Sequence, residues 1–152
     1  VIDDLYSAKI LNLAANMPCA GRLPHPQATA ERTSRLCGSR VVVDVVVADG
    51  RIVAFAQDVR ACALGQAAAA ILGDQIIGAR IEDVEAARDA LRTLLKTGEG
   101  APKPDELGGR FADLAVLAQV KDYPARHAST LLAFEAATEA ARRAEAATAS
   151  AP

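Results

Sequence analysis

The sequence predicts an α+β domain: a small antiparallel three-stranded sheet packed against helices, with an N-terminal helix and a long C-terminal one. Three observations predict it. Arg40 to Ala48 is β-branched apart from Asp44 and its two ends, Ile52 to Val59 alternates, and Asp49-Gly50 between them suits a two-residue type I′ turn. From Cys62 onward the apolar spacing is helical. Strands first and helices after make an α+β arrangement, not a parallel βαβ sheet.

Taken in order, Ile2, Leu5, Tyr6, Ile10, Leu13 and Met17 recur at helical spacing. Asp3 and Asp4 supply the negative charge that a helix N-terminus favours, and Pro18 stops the helix. Residues 18–27 hold three prolines and a glycine and read as a loop. Residues 29–36 supply a third antiparallel strand beside the hairpin. A helix over 62–72 ends near Gly73, and a second over 82–96 opens on Glu82-Asp83 and closes on Lys96 before Gly98, as the macrodipole prefers. Residues 97–109, rich in glycine and proline, form an exposed loop. Phe111, Leu114, Leu117 and Val120 mark a short helix. Pro124 opens the approach to the last helix, which runs on Leu131, Phe134, Ala137 and Ala141, with Glu139 and Arg143 paired four residues apart. Residues 1–146 thus make one domain and 147–152 a disordered tail, with no internal repeat.

Composition excludes several functions. The chain has 152 residues, 51% of them hydrophobic and 24% charged, which is enough to bury the core of a single domain. Aromatic residues make up 3% and tryptophan is absent, so there is no stacking platform for single-stranded nucleic acid. A formal net charge of −2, with no cluster of Lys and Arg, gives phosphate backbones no electrostatic hold. Nucleic acid is therefore not an expected partner. Neither is a membrane: the most apolar run, 61–73, is alanine-rich, interrupted by Gln66 and too short to span a bilayer. The N-terminus is acidic where a secretory signal would be basic. Three cysteines, an odd number without a CxxC pair, point to reduced thiols in a cytoplasm.

Two of those cysteines stand at element ends. Cys37 closes the first strand before Gly38, and Cys62 follows the last strand and opens a helix. Strands that neighbour each other bring such ends together, and a thiol in the first turn of a helix meets the positive end of the dipole, which favours thiolate. Thiolate is the form that ligates metal or accepts sulfur. Spacing alone nevertheless favours reading each as a small buried hydrophobe, since two isolated cysteines are not a metal motif. Cys19, in the proline loop, has no visible partner. His127, at the start of the last helix, is on its own a surface or satisfied residue and becomes a ligand only where the fold carries it to Cys37 and Cys62. His25, between prolines, suggests nothing. No dinucleotide, phosphate-loop, zinc-protease or nucleophile-elbow motif occurs, and the acidic pairs are helix-start charges. A Cys–His hydrolase built on Cys62 and His127 would lack a nameable orienting acid or oxyanion loop.

The run LCGSRVVVDVVVADGRIVAFAQDVRACALGQAAAAILG resembles the central segment of the IscU/SufU/NifU N-terminal scaffold family, with Cys-Gly-Asp before a hydrophobic hairpin and a second cysteine opening an Ala/Ser-rich helix. LYSAKILNLAANMPCAG resembles the family's opening helix and Asn-Pro loop, and FADLAVLAQVKDYPARHASTLLAF resembles the SufU branch around its third cysteine. The resemblance implies an iron–sulfur cluster assembly scaffold rather than a catalyst, with zinc-dependent sulfur transfer the one reaction it leaves open. Cys37 and Cys62, with His127, would bind iron, zinc or a labile cluster, or accept sulfur from a cysteine desulfurase for iron–sulfur acceptor proteins. Three departures stand out. The family's aspartate is Ser39; its third cysteine is Ser129 in an ungapped match, or Ala128 if a His-Cys pair is aligned on His127; and the chaperone-recognition LPPVK-type motif is absent. Hydroxyls are poor substitutes for thiolate or carboxylate. Ser39 and Ser129 are thus weak or substituted ligand positions, and two subunits of a homodimer could pool four cysteines. The rival reading is a degenerate paralogue that acts as a protein-interaction module without metal.

Overall fold

The computed structural model describes residues 6–36 and 38–149. A short helix, α1 (Ala8–Ala15), is followed by three strands, β1 (Ala28–Ser34), β2 (Ser39–Ala48) and β3 (Arg51–Arg60). After them come helices α2 (Ala63–Gln75), α3 (Ile81–Thr97) and α4 (His127–Ala149). The strands pair antiparallel in the order β1-β2-β3, and the helices pack on one face, with α4 lying along β1 and β2. The α+β reading holds.

The hairpin forms as its sequence dictates. Asp49 and Gly50 take φ of 53° and 74°, the paired left-handed conformation of a type I′ turn, and Ala48 faces Arg51 across it. Val53 is skipped in the β2–β3 register and stands half exposed on a bulge. Val41, Val43, Val45 and Val47 point from β2 into the helical layer, all nearly solvent-free. On that side α2 is buried nearly all round, and its alanines let neighbours approach closely.

Several boundaries differ from the sequence reading. Asp3 and Asp4 lie outside the described residues, and α1 starts at Ala8 behind Ser7, whose Oγ accepts the Ile10 N–H at 3.4 Å. Gly73 does not end its helix, because α2 runs on to Gln75. A Cβ on Gly73 would come within 2.6 Å of Gln57 Nε2 and 2.8 Å of the Pro18 carbonyl, so this glycine serves close approach. Residues Ala112–Asp122 wind as 3₁₀ turns, not as an α-helix. Their buried side chains, with Phe111, recur strictly every third residue, which is the 3₁₀ repeat. Phe111 enters these turns with φ of 69° and stacks edge-on to Phe134 at 5.8 Å. Helix α4 continues three residues into the expected tail, to Ala149, and the Thr148 hydroxyl accepts from Gln27 Nε2 at 2.7 Å; residues 150–152 lie outside the described residues.

The far face of the sheet is held by one carboxylate. Asp44, central on β2, is fully buried and points away from the helices. It accepts from Arg22 (2.6 and 3.1 Å), the Leu23 N–H (3.0 Å) and the Thr29 hydroxyl (2.6 Å). The bonds from Arg22 and Leu23 tie the 16–27 loop to β2, and the bond from Thr29 ties β1 to it. Burial pushes the carboxyl pKa up, but the donors from Arg22, Thr29 and Leu23 outweigh it and hold the carboxyl below its ordinary range. The sign follows: the stability that Asp44 contributes is fully present above the ordinary carboxylate pKa and is lost as pH falls through the lower, folded value. Asp44→Ala is expected to cost about 2–3 kcal/mol at neutral pH, since it strands buried donors. In urea unfolding measured from pH 7 down to pH 3, the gap between wild type and variant should narrow towards acid.

Candidate functional site

Three chain-distant element starts meet at one point. Ser39 opens β2 immediately after Gly38, whose φ of 72° turns the chain into the strand. Cys62 is the N-cap of α2, with φ −66° and ψ 171°, and its side chain makes no capping bond. That leaves the thiol free to turn towards α4, where Ser129 is the third residue. Cys62 Sγ lies 3.4 Å from Ser129 Oγ, and Ser129 Oγ lies 2.9 Å from Ser39 Oγ. Both serines are buried and Cys62 is half buried.

Gly65 makes the meeting possible. A Cβ there would stand 2.8 Å from Ala61 Cβ, 2.9 Å from Ser129 Oγ and 3.0 Å from the Ser129 carbonyl oxygen, so only glycine lets α4 come this close to the first turn of α2. Gln66 ties the same turn to the strand end, its Nε2 donating to the Ala61 carbonyl at 3.0 Å. A cavity of about 610 Å³ opens beside the thiol, lined by Gly38, Ser39, Arg60, Cys62, Gln66 and Arg126 among others.

The expected site residues are distributed as follows. Cys62, Ser39 and Ser129 come together. Cys37 lies outside the described residues; the two residues that follow it, Gly38 and Ser39, line the cavity. Ser129, not Ala128, is the position that meets Cys62, and Ala128 is exposed. His127 begins α4, about 200° around the helix from Ser129 at 100° per residue. Its Nε2 donates to the Val120 carbonyl oxygen at 2.8 Å, and the cavity is lined by its neighbour Arg126. Among the described residues no three His, Cys, Asp or Glu side chains gather as a metal cage. Cys19 sits near the other end of α2, where its thiol donates to the Gly73 carbonyl at 3.6 Å; burial first, and then Asp74, push that thiol pKa up.

The sequence reading missed the two arginines. Arg60 ends β3, two residues before Cys62, and Arg126 precedes Ser129 by one helical turn. A pass for cations at i−2 and i−3 from the candidate positions would have found both. The cavity lining contains no carboxylate among the described residues, so its electrostatic character is cationic.

Comparison with known proteins follows the same lines. The family model for the NifU-like N terminal domain matches residues 5–130. The chain is 26% identical over 140 residues to the iron–sulfur cluster assembly scaffold protein IscU of Thermotoga maritima, covering 91% of this chain and 94% of that protein. The crystal structure of a nitrogen-fixing NifU-like protein (N-terminal) from Brucella abortus superposes with a TM-score of 0.89 at 45% identity, covering 95% of this chain and 97% of that one. A putative iron–sulfur cluster assembly scaffold protein for the SUF system from Fervidobacterium islandicum shares the fold, with a TM-score of 0.79 at 21% identity over 90% of this chain and 96% of that one.

The close contact at Gly65 yields a test. Gly65→Ala forces Ser129 away from Cys62 and overpacks the junction. A net loss of about 1–2 kcal/mol is expected, as overpacking outweighs the gain in helix propensity. Thermal unfolding checks the stability, and faster alkylation of Cys62 (followed by mass mapping) checks the opened junction.

Proposed function

The chain belongs to the NifU-like N-terminal domain family, and from that premise we propose that it is an iron–sulfur cluster assembly scaffold whose cargo is held loosely. Cys37 and Cys62 bind iron, zinc or a labile cluster, or accept sulfur, in the cytoplasm. A cysteine desulfurase supplies the sulfur and iron–sulfur acceptor proteins take the product. The protein then acts by holding and handing on, without catalytic turnover of its own.

One observation carries this reading: Cys62 meets Ser129 and Ser39, the substituted ligand positions of the family pattern, beside a cavity that Cys62 and Ser39 line. Chance placement would not gather these three from the starts of β2, α2 and α4. The same observation explains why the hold is loose. A structural metal site uses about four strong donors and a cluster takes about four thiolates, whereas one chain offers two thiols. The hydroxyls of Ser39 and Ser129 bond to each other, and neutral hydroxyls do not cancel a cation's charge. His127 enters, if as a ligand, through Nδ1, because Nε2 is engaged by Val120. Pairing two chains would bring four cysteines to one cluster.

The hydroxyl pair also favours a second reading, a retained fold that binds partners without metal. Ser39 and Ser129 satisfy each other and leave the site closed in polar terms.

Metal and sulfide content, with the absorption spectrum of anaerobically purified protein, separates the two. An iron-plus-sulfide chromophore or stoichiometric zinc is expected; protein that stays metal-free and resists reconstitution would sink the scaffold reading. Ser129→Cys should raise zinc affinity at least about tenfold by adding a thiolate, while Ala128→Cys, on the exposed side, should not. Cys62→Ala should abolish binding, and His127→Ala should weaken it less. Competition titrations with a chromophoric chelator read all four.

A further inference from the structure

The cavity beside Cys62 is larger and more cationic than a bare ion requires. Its volume of about 610 Å³ lies in the range of small-molecule pockets, far above the roughly 30 Å³ of a single water. Arg60 and Arg126 both line it, and neither makes an ion pair or side-chain hydrogen bond among the described residues. Other arginines are paired: Arg22 with Asp44, Arg32 with Glu139, Arg142 with Glu85. A guanidinium is a planar fork of donors matched to carboxylate, and two of them open on a cavity whose described lining has no acid.

The site beside these arginines is short of soft donors, and its hydroxyl pair is satisfied internally. We infer that the cavity binds a low-molecular-weight thiol bearing two carboxylates, of the glutathione type, whose carboxylates Arg60 and Arg126 grip and whose sulfur supplies a thiolate the chain lacks. This rests on the scaffold reading for the metal step only. On ligation the thiol gives its proton to solvent and forms one sulfur–metal bond, with no change of oxidation state. An external thiolate held by ion pairs leaves with its carrier, so the missing position is filled by a ligand that exchanges.

The test uses the full chain and three probes: reduced glutathione, S-methylglutathione (carboxylates kept, thiol blocked) and glutathione diethyl ester (thiol kept, carboxylates masked). By calorimetry on metal-free protein, the first two should bind alike and the diester about tenfold more weakly or not at all. Arg60→Gln and Arg126→Gln should each weaken glutathione by a similar factor, and the Arg→Lys variants less. Circular dichroism confirms that the variants fold. With cobalt(II) as metal probe, glutathione should enlarge the thiolate-to-cobalt charge-transfer band, and S-methylglutathione should not. Equal binding of the diester, undiminished binding by both Gln variants, or an unchanged band in cobalt-loaded protein overturns the inference. Cobalt that binds in no arm overturns the scaffold reading instead, and the arginine grip is still decided on the metal-free protein.

Discussion

The structure depends on how closely other elements approach α2. Nine of its thirteen residues are buried, most of them alanine or glycine, so its partners meet nearly bare backbone. At one end Gly65 admits the first turn of α4; at the other Gly73 admits Gln57 and Pro18. Gln57 Nε2 donates to the Ala69 carbonyl at 2.8 Å and the Pro18 carbonyl at 3.3 Å, fastening β3 and the first loop to this helix. Larger side chains on α2 would lift both ends away and separate the functional groups. The cost of a helix made of small residues is low intrinsic amphipathicity, and tertiary contact supplies the stability that one-sided patterning gives elsewhere.

Much of the architecture was legible because local chemistry and global fold agree. The hairpin is written in Asp49-Gly50 and the flanking valines, and α3 in its acidic start, Lys96 and the left-handed Gly98 cap. What was misread has a common cause: residues were interpreted through their own segment when a distant one sets their role. Gly73 looked like a helix stop because glycine usually is, whereas the reason for it sits on Gln57 and Pro18. Phe111, Leu114, Leu117 and Val120 marked the short helix without fixing its kind, because they fit the α period loosely and a period of three strictly. At the site, Cys62 was legible because it opens a helix, whereas Ser39 and Ser129 were named only through the family resemblance, as the positions of its aspartate and third cysteine. Arg60 and Arg126 could not be weighted, because an arginine at a strand end or before a helix is ordinarily a solvated charge.

The site's chemistry follows from one substitution pattern in two places. Where the family pattern has Asp and Cys, the chain has Ser and Ser, and they answer each other across 2.9 Å. Two lost charges are replaced by one hydrogen bond, which keeps a buried junction satisfied with no ligand present. A site built from charged donors alone would carry the repulsion of crowded anions when empty; this one does not. The junction is therefore held by its own hydrogen bonds.

The outer edge of β3 is closed at both ends. Ala20 bridges Gln57 and Arg80 bridges Arg51, while Val53 bulges between them. An open strand edge is a template for joining another chain, and bulges and covering loops are how native sheets refuse it. On the opposite edge β1 is short and carries Glu31 and Arg32. Lateral extension of the sheet is thus blocked on one side and penalised on the other. Edge-to-edge joining of two copies is thereby disfavoured, and a second copy meeting this chain would do so through helices and loop ends, with no exchange of strands.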